Sequence, residues 1–67
     1  MTKFQEFYAN VRNGDTQSIR QEVVTRCEVS QVSFYNWKKG LFEPAAQFWG
    51  EINRIAEAYG YEKVYVI

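Results

Sequence analysis

The sequence predicts an all-α fold of four helices, followed by a short C-terminal strand or extended tail at residues 63–67. Three observations favour this fold: apolar side chains recur at helical spacing, capping residues stand where helices begin, and glycines stand where helices end. The chain has 67 residues, the length of one domain, and we expect residues 1–67 to form one. The predicted helices span about residues 3–13, 16–27, 30–39 and 45–59.

A stripe of large apolar side chains predicts the first helix. Its members are three or four residues apart and share one helical face: Phe4, Phe7, Tyr8 and Val11. Thr2 is placed to cap the N-terminus, and Asn13-Gly14 is a sequence at which helices stop. We interpret the stripe as core packing rather than as a ligand site.

The next two helices are expected to be joined by a tight three-residue turn. Asp15 or Thr16 is expected to cap the second helix, and Ser30 the third, which ends at Gly40. Val29 lies in the turn, where an apolar residue fills the corner. The buried faces are expected to carry Ile19, Val23, Val24 and Cys27 in the second helix and Phe34 and Trp37 in the third.

The last helix shows the longest apolar stripe of the chain. Pro44 is expected in its first turn and Gly60 at its end. Leu41 and Phe42, in the loop before it, are expected to fold back onto the core. The stripe consists of Phe48, Ile52, Ile55, Ala56 and Tyr59.

The tail from Lys63 to Ile67 is rich in β-branched and aromatic residues, which favours a strand. A lone strand needs a partner, and two arrangements supply one. Residues Val64–Ile67 pair with the same tail of a second subunit, or the tail lies over the core beside the first helix. We favour the pairing, which makes a homodimer. Trp49 lies off the apolar stripe and is a second candidate for a subunit contact, although a wide stripe would also explain it.

Composition argues against several classes of site. The chain has no His and one Cys, so we expect no disulfide framework, no metal site and no cofactor. It also lacks a glycine-rich phosphate loop and a pair of carboxylates on one apolar face, so we do not expect an enzyme. No apolar run is long enough to span a membrane, and the N-terminus does not resemble a signal peptide. We therefore expect a soluble, cytoplasmic protein.

The stretch from Arg20 to Lys39 resembles the helix-turn-helix of phage repressor and Cro-type proteins, the lambda repressor-like DNA-binding domains. The family usually has a small residue where Val24 stands, and a left-handed Gly where Glu28 stands. The resemblance implies a small transcriptional regulator that places helix 30–39 in the major groove of double-stranded DNA. The apolar positions that carry the resemblance are Val23, Cys27, Val29, Phe34 and Trp37.

The outward side of helix 30–39 supplies the candidate DNA contacts. Gln31 and Asn36 each suit bidentate pairing with adenine, and Val32 suits a thymine methyl group. Arg20, near the start of the second helix, is a candidate phosphate contact with help from the helix dipole. The base contacts are predicted at Gln31, Val32, Ser33 and Asn36, and the phosphate contacts at Arg20, Ser30, Tyr35, Lys38 and Lys39. Ordinary solvated residues, or for the lysines neutralisation of a helix C-terminus, are the alternative interpretation.

Charge supports this hypothesis through its distribution rather than its sum. The chain has eight basic and eight acidic side chains and a net charge of zero. Residues 20–39 carry four basic and two acidic side chains, a net charge of +2. Residues 40–67 carry two basic and four acidic ones, a net charge of −2. The alternative function, motivated by the zero net charge and by exposed aromatic residues, is a protein-interaction or dimerisation module that keeps the fold and binds no DNA.

Overall fold

The computed structural model describes residues 2–66, and it confirms the all-α prediction. Four α-helices and one short 3₁₀-helix account for the regular structure of these residues, which contain no strand. The helices pack around a shared core, in which the first helix contacts the third, and the second contacts the third and the fourth. The helices are α1 (Lys3–Ala9), α2 (Asn13–Cys27), α3 (Gln31–Lys39) and α4 (Trp49–Ala58), and the 3₁₀-helix is Ala46–Phe48.

The boundary between α1 and α2 differs from the prediction. The first helix ends at Ala9 rather than at residue 13, and α2 begins at Asn13 rather than at residue 16. Arg12 holds the N-cap position of α2, which had been predicted for Asp15 or Thr16. The reason is tertiary: the Arg12 guanidinium donates to Asp15 Oδ2 at 3.0 Å and to the carbonyl oxygen of Tyr59 at 2.8 Å. The Asn13-Gly14 pair therefore opens a helix instead of closing one.

Three predicted helix caps are confirmed. Thr2 Oγ1 accepts a hydrogen bond from the Gln5 amide at 3.0 Å, and Ser30 Oγ accepts one from the Ser33 amide at 3.1 Å. Gly40 ends α3 in the left-handed conformation, with φ of +79°. Each cap satisfies backbone groups that the helix leaves without an internal partner.

The segment before α4 corrects two further predictions. Residues 46–48 form a 3₁₀-helix, and the α-helix proper begins at Trp49, so Pro44 precedes the helix instead of opening it. The carbonyl oxygen of Pro44 accepts a hydrogen bond from Trp49 Nε1 at 2.9 Å. Leu41 and Phe42 do not cover the core, because each is 62% exposed.

The core is built around the ring of Phe4, which is fully buried. Its centroid lies 5.7 Å from that of Phe34 and 5.8 Å from that of Trp37, both in edge-to-face geometry. Tyr8 also meets Phe34 edge to face at 5.2 Å. Edge-to-face pairs add to the free energy of burial because the positive ring edge meets the negative ring face. The α1–α3 contact is therefore aromatic, and it fixes which side of α3 faces inward.

The tail lies over the core of its own chain, as one of the two predicted arrangements had it. Tyr65 is buried, and its ring stacks on Trp49 with the centroids 4.7 Å apart. Asn53, the one buried polar residue among those described, holds the tail backbone. Its Nδ2 donates to the Tyr65 carbonyl at 2.8 Å, and its Oδ1 accepts from the amides of Val64 and Tyr65 at 2.9 Å. Residues 63–66 form no strand, and Ile67 lies outside the described residues.

Glu43 ties the loop after α3 to both ends of the chain. Its carboxylate accepts from the amides of Lys3 and Phe4 at 3.1 Å and from the Tyr65 hydroxyl at 2.6 Å. Burial raises the pKa of Glu43, but the hydrogen bonds from Tyr65 and from the two amides outweigh it and hold the pKa below its ordinary value. Burial and the neighbouring Glu43 raise the pKa of Tyr65.

We expect Asn53→Ala to lower the free energy of unfolding by about 2 kcal/mol or more. The substitution removes three hydrogen bonds and leaves the buried tail amides without acceptors. Urea denaturation followed by circular dichroism measures the change. Gln21→Ala, at an exposed position of α2, is the control and should have little effect. Equal stability of the two variants would contradict the assigned role of Asn53.

We expect Glu43 to stabilise the fold in a pH-dependent way. Because the folded-state pKa lies below the ordinary value of 4.5, this stabilisation is present above that pH and is lost as the pH falls through the folded-state value. The difference in unfolding free energy between wild type and Glu43→Gln should therefore shrink in acid. Urea denaturation at a series of pH values measures it, and a difference that stays constant across the series would contradict the prediction. Tyr65→Phe removes one donor and should move the loss to higher pH.

Candidate nucleic-acid interface

The turn between α2 and α3 consists of three residues, Glu28, Val29 and Ser30. Glu28 adopts the left-handed conformation, with φ of 54° and ψ of 46°, at the position where the family resemblance implies glycine. The Val29 amide donates to the Val24 carbonyl at 3.2 Å, and the Val29 side chain is half-buried in the corner. The turn thus reverses the chain within three residues and lets Ser30 cap the next helix at once.

The third helix divides into an inward and an outward side. Phe34 and Trp37 are buried, as predicted. Ser33 and Asn36 are half-buried at the edges of the helix. The remaining predicted contact residues of the helix are exposed: Gln31, Val32, Tyr35, Lys38 and Lys39.

Arg20 lies beside the first turn of α3. It was predicted near the start of the second helix, and that position is wrong. It is half-buried near the middle of α2, about two turns from the N-terminus, so the dipole of that terminus does not assist it. Its Nη1 donates to Gln31 Oε1 at 2.8 Å. This hydrogen bond links α2 to α3 and restricts the Gln31 side chain. Because the side chain is already restricted, it loses less conformational entropy when it binds a ligand.

The C-terminal half of α3 carries the exposed positive charge. Lys39 Nζ lies 5.0 Å from the ring centroid of Tyr35, in a cation–π contact, and the Lys39 carbonyl accepts from Gln5 Nε2 at 3.1 Å. Within residues 2–66, the ion pairs closer than 4 Å involve other cations, including Arg26 with Glu22 and Glu51. The positive charge of Arg26, which was counted toward the net charge of residues 20–39, is therefore neutralised locally. Lys38 and Lys39 remain available to anions.

Sequence reasoning missed an apolar component of this surface. Of the five large apolar side chains that are well exposed within residues 2–66, four lie between residues 32 and 42. Val32 and Tyr35 share the outward side of α3 and were expected there. Leu41 and Phe42 were expected in the core, and the polar residues on both sides of them were the available signal that this loop lies on the surface.

Two open grooves of the described chain lie away from α3. One of about 450 Å³ runs between α1 and the tail, and another of about 460 Å³ lies beside α2 and the end of α4. No residue of α3 lines either groove. The outward side of the helix is therefore an exposed surface and not part of either groove.

Comparison of the chain with protein-family models, with curated proteins and with solved structures found no match. In addition, no helix within residues 2–66 combines the length and the apolarity that crossing a bilayer requires.

We expect Glu28→Gly to raise the free energy of unfolding by about 1 kcal/mol, because glycine adopts the left-handed conformation without a Cβ clash. Thermal denaturation measures the change. The control is the same substitution at Glu57, an exposed position within α4, where we expect a loss of about 1 kcal/mol. Destabilisation of similar size at both positions would show that residue 28 is not strained.

Proposed function

We propose that the chain is a sequence-specific DNA-binding domain of the lambda repressor-like helix-turn-helix type, and that it acts as a small transcriptional regulator. The observation that carries the proposal is the orientation of α3. Its apolar side is buried against α1, while Gln31 stands on the exposed first turn and is positioned by Arg20. A helix of nine residues that presents its first turn in this way fits the major groove of a duplex.

In the proposed complex, α3 reads bases from its exposed first turn. Gln31 and Asn36 pair with adenine edges, and Val32, which is 69% exposed, contacts a thymine methyl group. Ser33 lies on the same turn. Its amide donates to Ser30 Oγ and its hydroxyl oxygen accepts from Ser30 Oγ at 3.3 Å, so the hydroxyl hydrogen is the donor that remains for a base. These contacts supply sequence preference rather than most of the affinity.

The phosphate contacts in this proposal surround the base-reading turn. Lys38 and Lys39 meet the backbone at the C-terminal end of α3, with Tyr35 beside them. Arg20 contributes at the other end, next to the Ser30 cap. Few cations take part and the net charge is zero, so we expect modest affinity and a shallow dependence on salt. Two copies on a palindrome, with half-sites about 34 Å apart, would double these contacts.

A second candidate function is a protein-interaction module that binds no DNA. The observation that favours it is the group of exposed apolar side chains, Val32, Tyr35, Leu41 and Phe42, on and beside α3. Exposed apolar clusters on a small domain mark interaction sites, and a partner that covered them would also cover Gln31.

We expect selection from a pool of random duplexes to enrich a preferred sequence. Gln31→Ala and Asn36→Ala should each relax preference at one position, a change of about 1–3 kcal/mol in discrimination. Lys39→Ala should weaken binding to all sequences alike and lower the salt slope by about one. Fluorescence anisotropy at several salt concentrations measures both effects.

The matched control is Lys63→Ala, which removes an exposed lysine from the tail instead of from α3 and should leave binding unchanged. Equal losses on every duplex for all three α3 variants would contradict the division between base and phosphate contacts. Absence of any binding at low salt would favour the protein-interaction module.

A further inference from the structure

We infer that the tail closes a conformational latch on the start of α1 and on the loop after α3, and that this latch fixes the end of α3 that carries the exposed lysines. Four side chains from three separate parts of the chain form the latch: Glu43, Trp49, Asn53 and Tyr65. The effect of the latch on DNA binding rests on the proposed function, whereas its effect on α3 does not.

The latch holds the tail by both its backbone and its ring. Asn53 accepts from the amides of Val64 and Tyr65 and donates to the Tyr65 carbonyl. The Tyr65 ring stacks on Trp49, whose indole donates to the carbonyl oxygen of Pro44 in the loop after α3. Displacing the tail would leave the buried Asn53 side chain without these partners, so the closed latch is the favoured state.

The Tyr65 hydroxyl connects the tail to the start of α1. It donates to Glu43 Oε1 at 2.6 Å, and the same oxygen accepts from the Phe4 amide at 3.1 Å. Glu43 Oε2 accepts from the Lys3 amide at 3.1 Å. The first amides of an α-helix have no acceptor within the helix, so Glu43 supplies acceptors for the first two amides of α1. The orientation of Glu43 that does this is the one that Tyr65 bonds.

The first turn of α1 in turn holds α3. The Phe4 ring packs edge to face on the buried aromatic pair of α3. In the next residue, Gln5 Nε2 donates to the Lys39 carbonyl at 3.1 Å. The Gln5 carboxamide lies directly against Gly40, because a Cβ atom on that glycine would overlap Gln5 Oε1. The contacts of the tail therefore continue through α1 to the lysine-bearing end of α3.

A closed latch makes this end of α3 part of one rigid unit with the tail. When the tail leaves Asn53, Glu43 loses the donor that orients it, and the first turn of α1 no longer holds α3 in one place. The lysines must then be ordered when DNA binds, which costs conformational entropy. Displacement of the tail therefore lowers affinity for every duplex alike, because the lysines contact phosphates rather than bases.

Amide hydrogen exchange without DNA tests the latch in wild type. The amides of Lys3, Phe4, Val64 and Tyr65 all have their acceptors in the latch, so one opening event should expose all four. We expect their protection factors to agree within about tenfold and to lie below that of the Val23 amide, in the middle of α2.

The variant is Tyr65→Phe, which removes the hydroxyl and keeps the ring on Trp49. The four amides should lose protection together, by about tenfold, because a hydrogen bond to a carboxylate is lost from the closed latch. The matched control is Tyr59→Phe, which removes a hydrogen bond of 2.7 Å from a tyrosine hydroxyl to the Glu22 carboxylate, outside the latch. It should leave the protection of the four amides unchanged.

Two further measurements follow the effect to α3. The amide NMR shifts of Lys39 and Gly40 should change in Tyr65→Phe and stay as in wild type in Tyr59→Phe. In fluorescence anisotropy, Tyr65→Phe should bind all duplexes about threefold more weakly with the preference among them unchanged, and Tyr59→Phe should bind like wild type.

The inference is overturned if the four wild-type protection factors differ by more than about tenfold, or equal that of Val23, because the latch would then not open as one separate unit. It is also overturned if Tyr65→Phe leaves the amides of Lys3 and Phe4 protected, or leaves the shifts of α3 unchanged. A wild type that binds no duplex contradicts the proposed function alone, since the exchange and shift measurements contain no DNA.

Discussion

The edge-to-face packing of Phe4 against Phe34 and Trp37 is the interaction on which the rest of the structure depends. It joins α1 to α3, which are distant in the sequence, and it sets the rotation of α3 about its own axis. Because Phe34 and Trp37 are three residues apart, burying both leaves one side of the helix free. The exposed position of Gln31 is a consequence of this packing, since no interaction of Gln31 itself is strong enough to orient a helix.

The parts of the fold that could be predicted are those that local chemistry decides. Hydroxyl caps at Thr2 and Ser30 and the glycine at position 40 act on backbone groups within one helical turn, so their positions in the sequence are sufficient. The boundary at α2 could not be predicted in this way. Arg12 donates to the carbonyl of Tyr59, 47 residues further along, and no local pattern in the sequence indicates that contact.

The candidate site was predictable to a similar extent. The inward side of α3 follows from the spacing of its aromatic residues. Most of the residues predicted on the outward side are exposed, whereas Ser33 and Asn36 are half-buried. The contact between Arg20 and Gln31 was missed because the two residues lie in different helices, so the spacing within either helix does not indicate it. Asn53 was missed for a different reason: a single polar residue beside an apolar stripe gives no sign that it holds a distant tail.

The distribution of charge along the chain bears on the proposed function. A copy that presents two lysines and Arg20 to DNA neutralises few phosphates, so it binds weakly by itself. A palindromic site that holds two copies would double the number of these contacts. The neutral loop and the basic helix are separated by the left-handed Gly40, which turns the chain away from the α3 axis. The same chain segment thus carries two distinct surfaces, one suited to phosphate and one to apolar contact, and neither needs the protein as a whole to be basic.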